Sequence, residues 1–329
     1  MDQRLEQLIR WVEAVLKINE AEVTPASSDA SFRRYFRIRH GDESFIVMDA
    51  PPDKEDCGPF IRVSDAMAQF GLNVPRVLQR DLDQGFLLLT DLGEQQYLQV
   101  LKPDNVDSLY GDAIDALIKL QVNGASSTTN LPQYDHKLLM FEMSLFTDWL
   151  LQKHLQLSLS HSVKNELSRL FQQLAEEALA QPNVWVHRDY HSRNLMLTDV
   201  NNPGVLDFQD AVLGPLTYDL MSLLKDCYIS WPRDQVEAWV AGYSDRIHDA
   251  GFARDVSQEQ LLRWFDLMGA QRHLKAAGIF ARLNIRDGKP GYLEDIPRTL
   301  NYICEAAAWL PELQPLNHLI CNEVLQGLE

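Results

Sequence analysis

The segment from residue 186 to residue 197 constrains the fold more than any other part of the sequence. It reads V-H-R-D-Y-H-S-R-N-L-M-L, so that Asp189 is followed five residues later by Asn194, with apolar residues on both sides. A second acid, Asp207, ends another apolar run in V-L-D-F-Q-D-A. Short apolar runs that end in polar loops are typical of strand–loop–strand structure. We interpret the three polar side chains as one constellation.

The residue types in this constellation suit phosphoryl transfer. That reaction needs an oriented acceptor hydroxyl, metal ions on the phosphate oxygens, and a donor held in line with the acceptor. Asp189 can accept the hydroxyl proton, and Asn194 and Asp207 offer the oxygen ligands that Mg²⁺ prefers. The spacing H-x-D-x-x-x-x-N followed by D-F-x is that of a kinase catalytic loop and its metal-binding pair. Any one of these acids alone could instead be a turn former or a helix cap.

Two neighbouring residues have structural interpretations as well as chemical ones. His187 precedes the catalytic Asp189, and we interpret it as a packed scaffold residue rather than a proton shuttle. Asp219, in G-P-L-T-Y-D-L, lies on a mostly apolar helical pattern. It is either a partly exposed acid or a buried carboxylate that accepts backbone N–H bonds from the catalytic loop, and we favour the second.

Hydrophobic periodicity predicts an α+β chain of two lobes. Residues 1–92 combine an amphipathic first helix and a helix from Phe60 to Phe70 with strand-like runs, among them R-R-Y-F-R-I-R-H, S-F-I-V-M-D-A-P-P, N-V-P-R-V-L-Q-R-D and G-F-L-L-L-T-D-L-G. Residues 93–329 carry long helical patterns around a strand–loop–strand insert, at 105–123, 138–155, 162–181, 216–229, 233–249 and 258–285. We expect a nucleotide-binding lobe over 1–92, and a helical lobe with the catalytic loop and the acceptor site over 93–329.

Charge and composition exclude several classes of protein. Forty-seven acids against thirty bases give a formal charge of −17, which would repel a nucleic acid. No apolar run approaches the roughly 20 residues that cross a bilayer, and the charged N-terminus lacks the pattern of a signal peptide. We therefore expect a cytoplasmic protein with no nucleic-acid, membrane or obligate protein partner. Any nucleotide site must supply metal ions and backbone donors against the negative field.

The motifs together resemble a known family. H-R-D-Y-H-S-R-N-L-M-L, L-D-F-Q-D-A and G-P-L-T-Y-D-L are similar to those of aminoglycoside phosphotransferases and choline kinases, which share the protein-kinase-like fold. Further stretches resemble the bacterial anomeric kinases of N-acetylmuramate and N-acetylglucosamine in cell-wall recycling. They are S-S-D-A-S-F-R-R-Y-F-R, I-V-M-D-A-P-P-D-K-E-D-C, F-L-L-L-T-D-L-G and Q-R-H-L-K-A-A-G-I-F-A-R-L-N-I-R-D-G-K-P-G-Y-L-E-D-I-P-R. The resemblance runs from residue 27 to residue 298.

The resemblance implies a small antiparallel-sheet lobe, a larger helical lobe, and transfer from ATP to the anomeric hydroxyl of an N-acetylated amino sugar. It implies that Asp189 is the catalytic base and that Asn194 and Asp207 hold Mg²⁺. The backbone at Asp91 and Leu92 would bind the adenine edge. A loop over the phosphates would include Ser27, Ser28, Ser31 and Phe32.

Two departures from the protein-kinase pattern concern the nucleotide. Residues 21–40 contain no glycine, where a protein kinase has G-x-G-x-x-G. Met48 stands where V-A-I-K places the phosphate-binding lysine, although the sugar kinases are similar in reading M-D-A-P-P here. Arg33, Arg34 and Lys54 are the nearby cations. We count Arg33 among the candidate nucleotide ligands; the alternative for each cation is a solvated charge on a strand face.

The acceptor site is less well defined by sequence. Arg193 lies inside the catalytic loop, and Asp210 either hydrogen-bonds a sugar hydroxyl or closes a turn. Either Arg272 or Arg282, on one helical pattern, could bind the lactyl carboxylate of N-acetylmuramate, because an arginine fork suits a carboxylate. The alternative is that these arginines pair with acids on the helix surface.

Two other functions stay open. One is a kinase of a different acceptor, such as an aminoglycoside or a choline-like alcohol. The other is a catalytically inactive sensor of nucleotide or sugar, which Met48 favours and the intact Asp189, Asn194 and Asp207 disfavour.

Overall fold

The computed structural model describes residues 2–28, 32–41 and 43–328. Its N-terminal part contains one antiparallel sheet in the order β1-β2-β3-β5-β4. The strands are β1 (Glu22–Ser28), β2 (Arg34–His40), β3 (Glu43–Asp49), β4 (Val77–Asp81) and β5 (Phe86–Thr90). The sequence predicts the last four. It misses β1, because Pro25 interrupts the strand pattern, and proline is tolerated on an edge strand such as this one.

Two helices accompany the sheet, and both match the sequence prediction. Helix α1 (Gln3–Leu16) begins where the Asp2 carboxylate accepts the backbone N–H groups of Arg4 and Leu5. Its apolar stripe packs on one face of the sheet, where the core residues are Leu8, Val12, Phe36, Ile38, Val47, Phe86 and Leu88. Helix α2 (Cys57–Gln69) joins β3 to β4 and is capped by the Asp56 carboxylate.

The middle of the chain alternates helices with very short strands. The helices are α3 (Tyr97–Val100), α4 (Val106–Gly124), α5 (His136–Leu145), which continues as a π-helical segment over Phe146–His154, and α6 (His161–Leu179). The strands are β6 (Asn183–Val186), β7 (Leu195–Met196), β8 (Gly204–Val205) and β9 (Val212–Pro215). Strand β6 pairs with β9, and β7 pairs with β8. This is the predicted strand–loop–strand insert.

The C-terminal part is helical. Its helices are α7 (Tyr218–Leu224), α8 (Arg233–Asp249), α9 (Gln258–Asp287), α10 (Ile296–Ala306), α11 (Gln314–Leu319) and α12 (Leu325–Leu328). The sheet and the mainly helical remainder confirm the predicted α+β class. The helix predicted over 216–229 is shorter, because Asp226 accepts the backbone N–H of Tyr228 and so competes with the helical hydrogen bonds. The helices after residue 287 are not predicted.

By their contacts the residues form two compact units. The first comprises residues 1–116, 127–129 and 194–210, and the second comprises 117–126, 130–193 and 211–329. From the sequence we expect residues 1–92 to bind the nucleotide and residues 93–329 to carry the catalytic loop and the acceptor site. This division of function stays a prediction. Among the helices described, none is both long and apolar enough to cross a membrane.

Helix α9 approaches the junction of α5 and the π-helical segment very closely at Gly278. A Cβ atom at this position would lie 2.3 Å from the carbonyl carbon of Leu145 and 2.5 Å from the backbone nitrogen of Phe146. Backbone atoms cannot turn aside as a side chain can, so only glycine fits without a shift of one helix.

We expect Gly278→Ala to lower the unfolding temperature. Overpacking costs roughly 1–3 kcal/mol, more than the up to about 1 kcal/mol that alanine gains over glycine in a helix. Thermal unfolding followed by circular dichroism measures the change. The matched control is Gly242→Ala in α8, where the nearest atom to the added Cβ is 3.9 Å away, and where we expect a small rise. A rise in both variants would contradict this account of Gly278.

Candidate active site

The catalytic loop is held in shape by the carboxylate of Asp219, at the start of α7. Its oxygens accept the backbone N–H of His187 at 2.6 Å and that of Arg188 at 3.0 Å. Arg188 has a φ of 78°, in the left-handed region that a non-glycine residue adopts only when its surroundings enforce it. The predicted buried carboxylate that accepts loop N–H groups is confirmed. Burial raises the pKa of Asp219 to about 7, and the two N–H donors oppose that rise.

A second carboxylate fixes the next part of the loop. Asp226 accepts both the backbone N–H of Ser192, at 2.9 Å, and the Ser192 hydroxyl. The same carboxylate accepts the backbone N–H of Tyr228 at 2.9 Å. Sequence analysis does not find Asp226, because L-L-K-D-C-Y gives no sign that a residue 34 positions upstream will contact it.

His187 is buried and engaged in the scaffold. Its Nδ1 faces the backbone N–H of Asp189 at 3.3 Å, and its ring lies 5.7 Å from that of Tyr190. These contacts support the scaffold interpretation over a proton shuttle.

A buried group of charges lies beside the catalytic loop. The carboxylate of Glu142, in α5, accepts a hydrogen bond from Arg188 Nη2 at 2.6 Å. It also lies 3.0 Å from the Nζ of Lys275, in α9. Lys275 also donates to the Tyr218 hydroxyl at 3.0 Å. Two cations therefore share one carboxylate, which leaves an excess of positive charge. The sequence offers a weak signal for Glu142, since it is an acid between the apolar Leu139 and Met143.

The excess positive charge acts on Asp189. Burial opposes ionisation of this carboxyl, but the charges of Lys275, His191 and Arg272 outweigh it and lower its pKa to about 2. Asp189 is therefore ionised at neutral pH, as an acceptor of a hydroxyl hydrogen must be.

The predicted acceptor residues Arg193 and Arg272 both contact the segment that follows α7. Arg193 lies over the Tyr228 ring, with its guanidinium carbon 4.6 Å from the ring centroid. Arg272 is only 6% exposed, and its Nη1 donates to the Cys227 thiol sulfur at 3.7 Å. Within the described ranges no carboxylate forms an ion pair with Arg272. The alternative of a surface ion pair is therefore wrong for Arg272.

Arg282 lies apart from this group. Ten residues along a helix correspond to about 15 Å between the Cα atoms of Arg272 and Arg282. Burial and the charge of Arg286 lower the pKa of Arg282, and Asp287 opposes them. Arg282 thus belongs to the C-terminal end of α9.

The aromatic surroundings of Arg193 explain part of the stretch that resembles the sugar kinases. Tyr292, from G-K-P-G-Y, presents its ring centroid 5.7 Å from the Arg193 guanidinium and stacks on Phe280 of α9 at 5.6 Å and 18°. Tyr228 completes this aromatic group at 6.2 Å from Phe280.

The two predicted metal ligands lie at the same end of the β7–β8 pair. Leu195 pairs with Val205, and Leu206 N–H donates to the Asn194 carbonyl at 2.9 Å, so Asn194 and Asp207 flank one ladder. Asp207 has a φ of 62°, another left-handed non-glycine residue. Phe208 packs on Phe60 of α2 at 4.9 Å and so anchors the turn.

These residues fit a hard cation. Gln209 Nε2 donates to Asp207 Oδ1 at 2.7 Å, and Gln209 Oε1 is buried with no hydrogen-bond partner among the described residues. The donor set is oxygen-rich but small, and the described ranges contain no cluster of three or more histidines, cysteines or acids. That suits Mg²⁺, which binds one or two carboxylates together with substrate phosphates.

The predicted nucleotide residues are spread along the same unit. The Asp91 carboxylate accepts Arg37 Nε at 2.6 Å and the Gly93 N–H at 3.0 Å, so its side chain braces the connector. Leu92 packs against Gly204, where a Cβ would lie 2.9 Å from a Leu92 methyl carbon. Phe32 is exposed.

Part of the predicted phosphate loop lies outside the description. Ser31 is not among the described residues, and only the backbone of Ser27 and Ser28 is described, as the end of β1. Ser28, at the end of β1, pairs with Arg34, at the start of β2. Asp210 is exposed, three residues after Asp207.

Comparison with known proteins identifies the class of enzyme. The model of the phosphotransferase enzyme family, which includes the aminoglycoside phosphotransferases, matches residues 22–259. The chain belongs to this phosphotransferase family. It is therefore a kinase of small molecules, and the matched range includes the loop at Asp189 and the pair Asn194 and Asp207.

Its sequence is similar along its whole length to enzymes called N-acetylmuramate/N-acetylglucosamine kinase. The enzyme from Pseudomonas aeruginosa is 48% identical, and the alignment covers 100% of this chain and 99% of that enzyme. That from Pseudomonas putida is 46% identical, with 98% and 97% covered. That from Neisseria meningitidis is 41% identical, with 98% and 96% covered. The resemblance to this family is confirmed.

Solved structures agree on the fold. The choline kinase LicA from Streptococcus pneumoniae superposes with a TM-score of 0.62 at 11% identity, covering 93% of this chain and 100% of that one. The ADP-bound aminoglycoside phosphotransferase APH(2'')-Ib gives 0.56 at 16% identity, covering 92% and 98%. These likenesses confirm the protein-kinase-like fold.

We expect Asp219→Ala to destabilise the phosphotransferase strongly, because two buried N–H groups lose their acceptor. An unsatisfied buried group costs about 1–3 kcal/mol, so the loss is expected at roughly 2–5 kcal/mol. Urea unfolding measures it. Asp287→Ala is the control, since that exposed acid pairs with Arg286 at the end of α9, and we expect its midpoint to stay nearly unchanged. Equal midpoints for the two variants would contradict the role given to Asp219.

Proposed function

We propose that this phosphotransferase transfers the γ-phosphoryl group of ATP to the anomeric hydroxyl of an N-acetylated amino sugar, N-acetylmuramate, N-acetylglucosamine or both. The products are the sugar 1-phosphate and ADP, and the reaction serves cytoplasmic recycling of cell-wall sugars. The observation that carries the proposal is the end-to-end similarity, at 48% identity, to a kinase named for these two sugars.

Each side chain of the catalytic motifs has a role in this proposal. Asp189 orients the attacking hydroxyl and accepts its proton. Asn194 and Asp207 hold Mg²⁺, which neutralises charge on the phosphate oxygens when bound. The backbone at Asp91 and Leu92 binds the adenine edge, and the segment from Ser27 to Phe32 covers the phosphates.

The low pKa of Asp189 determines how it acts. A carboxylate with a pKa of about 2 is too weak a base to remove a hydroxyl proton before the reaction starts. It accepts a hydrogen bond from the hydroxyl and takes the proton late, as the new P–O bond forms. Such a late transfer suits the loose transition state of phosphoryl transfer, in which the nucleophile needs positioning more than activation.

Arg272 is the side chain best suited to read the carboxylate of N-acetylmuramate. It is largely buried, lies near enough to Asp189 and Asp226 for their charges to help raise its pKa against the effect of burial, and forms no ion pair among the described residues. Arg193, held against Tyr228 and Tyr292, offers a flat polar and aromatic surface to a sugar ring. N-acetylglucosamine has no carboxylate, so Arg272 should matter less for that sugar.

The direct test is ADP release with Mg²⁺ and ATP over N-acetylmuramate, N-acetylglucosamine, glucose, kanamycin and choline. We expect turnover of the two N-acetylated sugars, and Asp189→Asn to reduce it by about 10²- to 10⁴-fold. Product identity, by ³¹P NMR, separates the 1-phosphate from other esters. Turnover of kanamycin or choline alone would overturn the sugar assignment, and nucleotide binding without any turnover would favour a sensor.

Selectivity between the sugars tests Arg272. We expect Arg272→Gln to lower kcat/KM for N-acetylmuramate by about 10- to 100-fold more than for N-acetylglucosamine, since a hydrogen bond to a charged group is worth about 1.5–3 kcal/mol. Arg282→Gln tests the competing assignment on the same helix. A selective loss in Arg282→Gln rather than in Arg272→Gln would reverse the two roles.

The pH dependence follows from the charges around Asp189. Because its pKa is about 2, the Asp189 carboxylate stays ionised and should itself cause no fall in kcat/KM as the pH drops from about 8 to about 5. Lys275→Met removes a positive charge that lowers this pKa, so the pKa rises and activity should fall earlier on the acidic side. A fall between about pH 8 and about pH 5 that Lys275→Met shares with the wild type would come from Asp219, whose pKa is about 7. The control is Lys119→Met, at an exposed lysine of α4. Identical pH profiles for Lys275→Met and the wild type would contradict this electrostatic account.

A further inference from the structure

Met48 lies in the middle of β3, fully buried, at the position where the kinase pattern has its phosphate-binding lysine. It is paired with Tyr35 of β2 on one side and Leu87 of β5 on the other. A thioether cannot bind a phosphate through charge. If the chain uses ATP, another group must supply that interaction.

The two faces of the sheet identify which cations could do so. Phe36, Val47 and Leu88 lie in the core cluster beneath α1, so they define the α1 face. Because side chains alternate along a strand and paired residues share a face, Met48 and Tyr35 lie on the opposite face.

Arg34 lies on the α1 face. Its guanidinium donates to the Asp49 carboxylate, whose other oxygen accepts Arg4 Nε of α1 at 2.6 Å. It also pairs with Asp2, the residue that caps α1. Arg34 is therefore committed to joining α1 to the sheet.

Arg33 immediately precedes β2, and its side chain hydrogen-bonds with Tyr35, on the face of Met48. Its Nη2 lies 3.1 Å from the Glu55 carboxylate, and the two side chains are only 12% and 15% exposed. The expected alternative, a solvated charge on a strand face, is therefore wrong for Arg33. Burial alone would lower the pKa of Arg33, but Tyr35, Glu55 and Asp210, three residues beyond Asp207, raise it.

Glu55 is placed to fix the position of the Arg33 side chain as well as to neutralise its charge. It precedes α2 by two residues, and its Oε1 also accepts the Phe32 N–H at 3.3 Å. In protein kinases the phosphate-binding lysine is held by a glutamate of the corresponding helix. A largely buried ion pair adds little stability by itself, because desolvation offsets the attraction, so stability alone does not account for this one.

We propose that Arg33, held by Glu55, binds the phosphates of the donor nucleotide and replaces the lysine that is absent at Met48. The inference rests on the proposed function in that it takes ATP as the donor. A guanidinium has five N–H donors in a flat fork, so it can keep Glu55 on one edge and bind a phosphate oxygen with another.

Nucleotide binding to the full chain, measured by calorimetry with Mg²⁺ and without sugar, tests the proposal. We expect Arg33→Gln to weaken ATP and ADP by about 10- to 100-fold, the value of one or two charge-assisted hydrogen bonds, and to leave adenosine unchanged. Arg33→Lys keeps the charge and should lose less, as should Glu55→Gln, which only releases the arginine. Arg34→Gln, on the opposite face, is the matched control and should leave nucleotide affinity unchanged even where it lowers the unfolding temperature.

Two results would overturn the role of Arg33. One is ATP affinity in Arg33→Gln within about twofold of the wild type, which is less than a single hydrogen bond contributes. The other is an equal loss for adenosine and ATP, which would mean that the variant disturbs the whole site. Wild-type protein that binds no nucleotide would instead overturn the proposed function itself.

Discussion

One carboxylate determines the geometry of the catalytic loop. A left-handed residue other than glycine costs of order 1–3 kcal/mol, and Arg188 is such a residue. The two hydrogen bonds that Asp219 accepts from the backbone N–H groups of His187 and Arg188 offset this cost. The turn directs the Arg188 side chain to Glu142 and leaves Asp189 within reach of the charges of Lys275 and Arg272. The ionisation of the catalytic residue thus depends on a bond made elsewhere in the loop.

The chain carries a large net negative charge, yet positively charged side chains are concentrated around Asp189. Lys275 and Arg188 share Glu142, and Arg272 lies near Asp189 with no carboxylate bonded to it among the described residues. Local charge, rather than net charge, governs which ligand a site accepts. The large net negative charge is therefore compatible with the proposed anionic donor and anionic sugar, provided that cations are concentrated where these ligands bind.

The sequence predicts those features that repeat locally. Alternation in β2 and β3, the periodicity of α1 and the spacing between Asp189 and Asn194 are all short-range patterns, and they predict the sheet, the helix and the loop. Glu142 and Asp226 are missed because their partners are distant in sequence, and no pattern connects them. The same limit applies to Arg33: its neighbour Arg34 is the same residue type, and only the pairing register separates their faces.

The segment Asp226–Cys227–Tyr228 has two tasks that cannot be separated. Asp226 fixes Ser192 inside the catalytic loop, Cys227 contacts Arg272, and Tyr228 supports Arg193. A change at residue 227 or 228 that reshapes the proposed acceptor surface should also shift the Asp226 carboxylate beside it, and with it the loop that carries Asp189. Tyr292 and Phe280 contribute to the same surface but lie outside the segment that holds the loop in place. New acceptor preferences would therefore evolve more readily through changes at these two residues. The residues of this one small surface thus differ in how freely they can change during evolution.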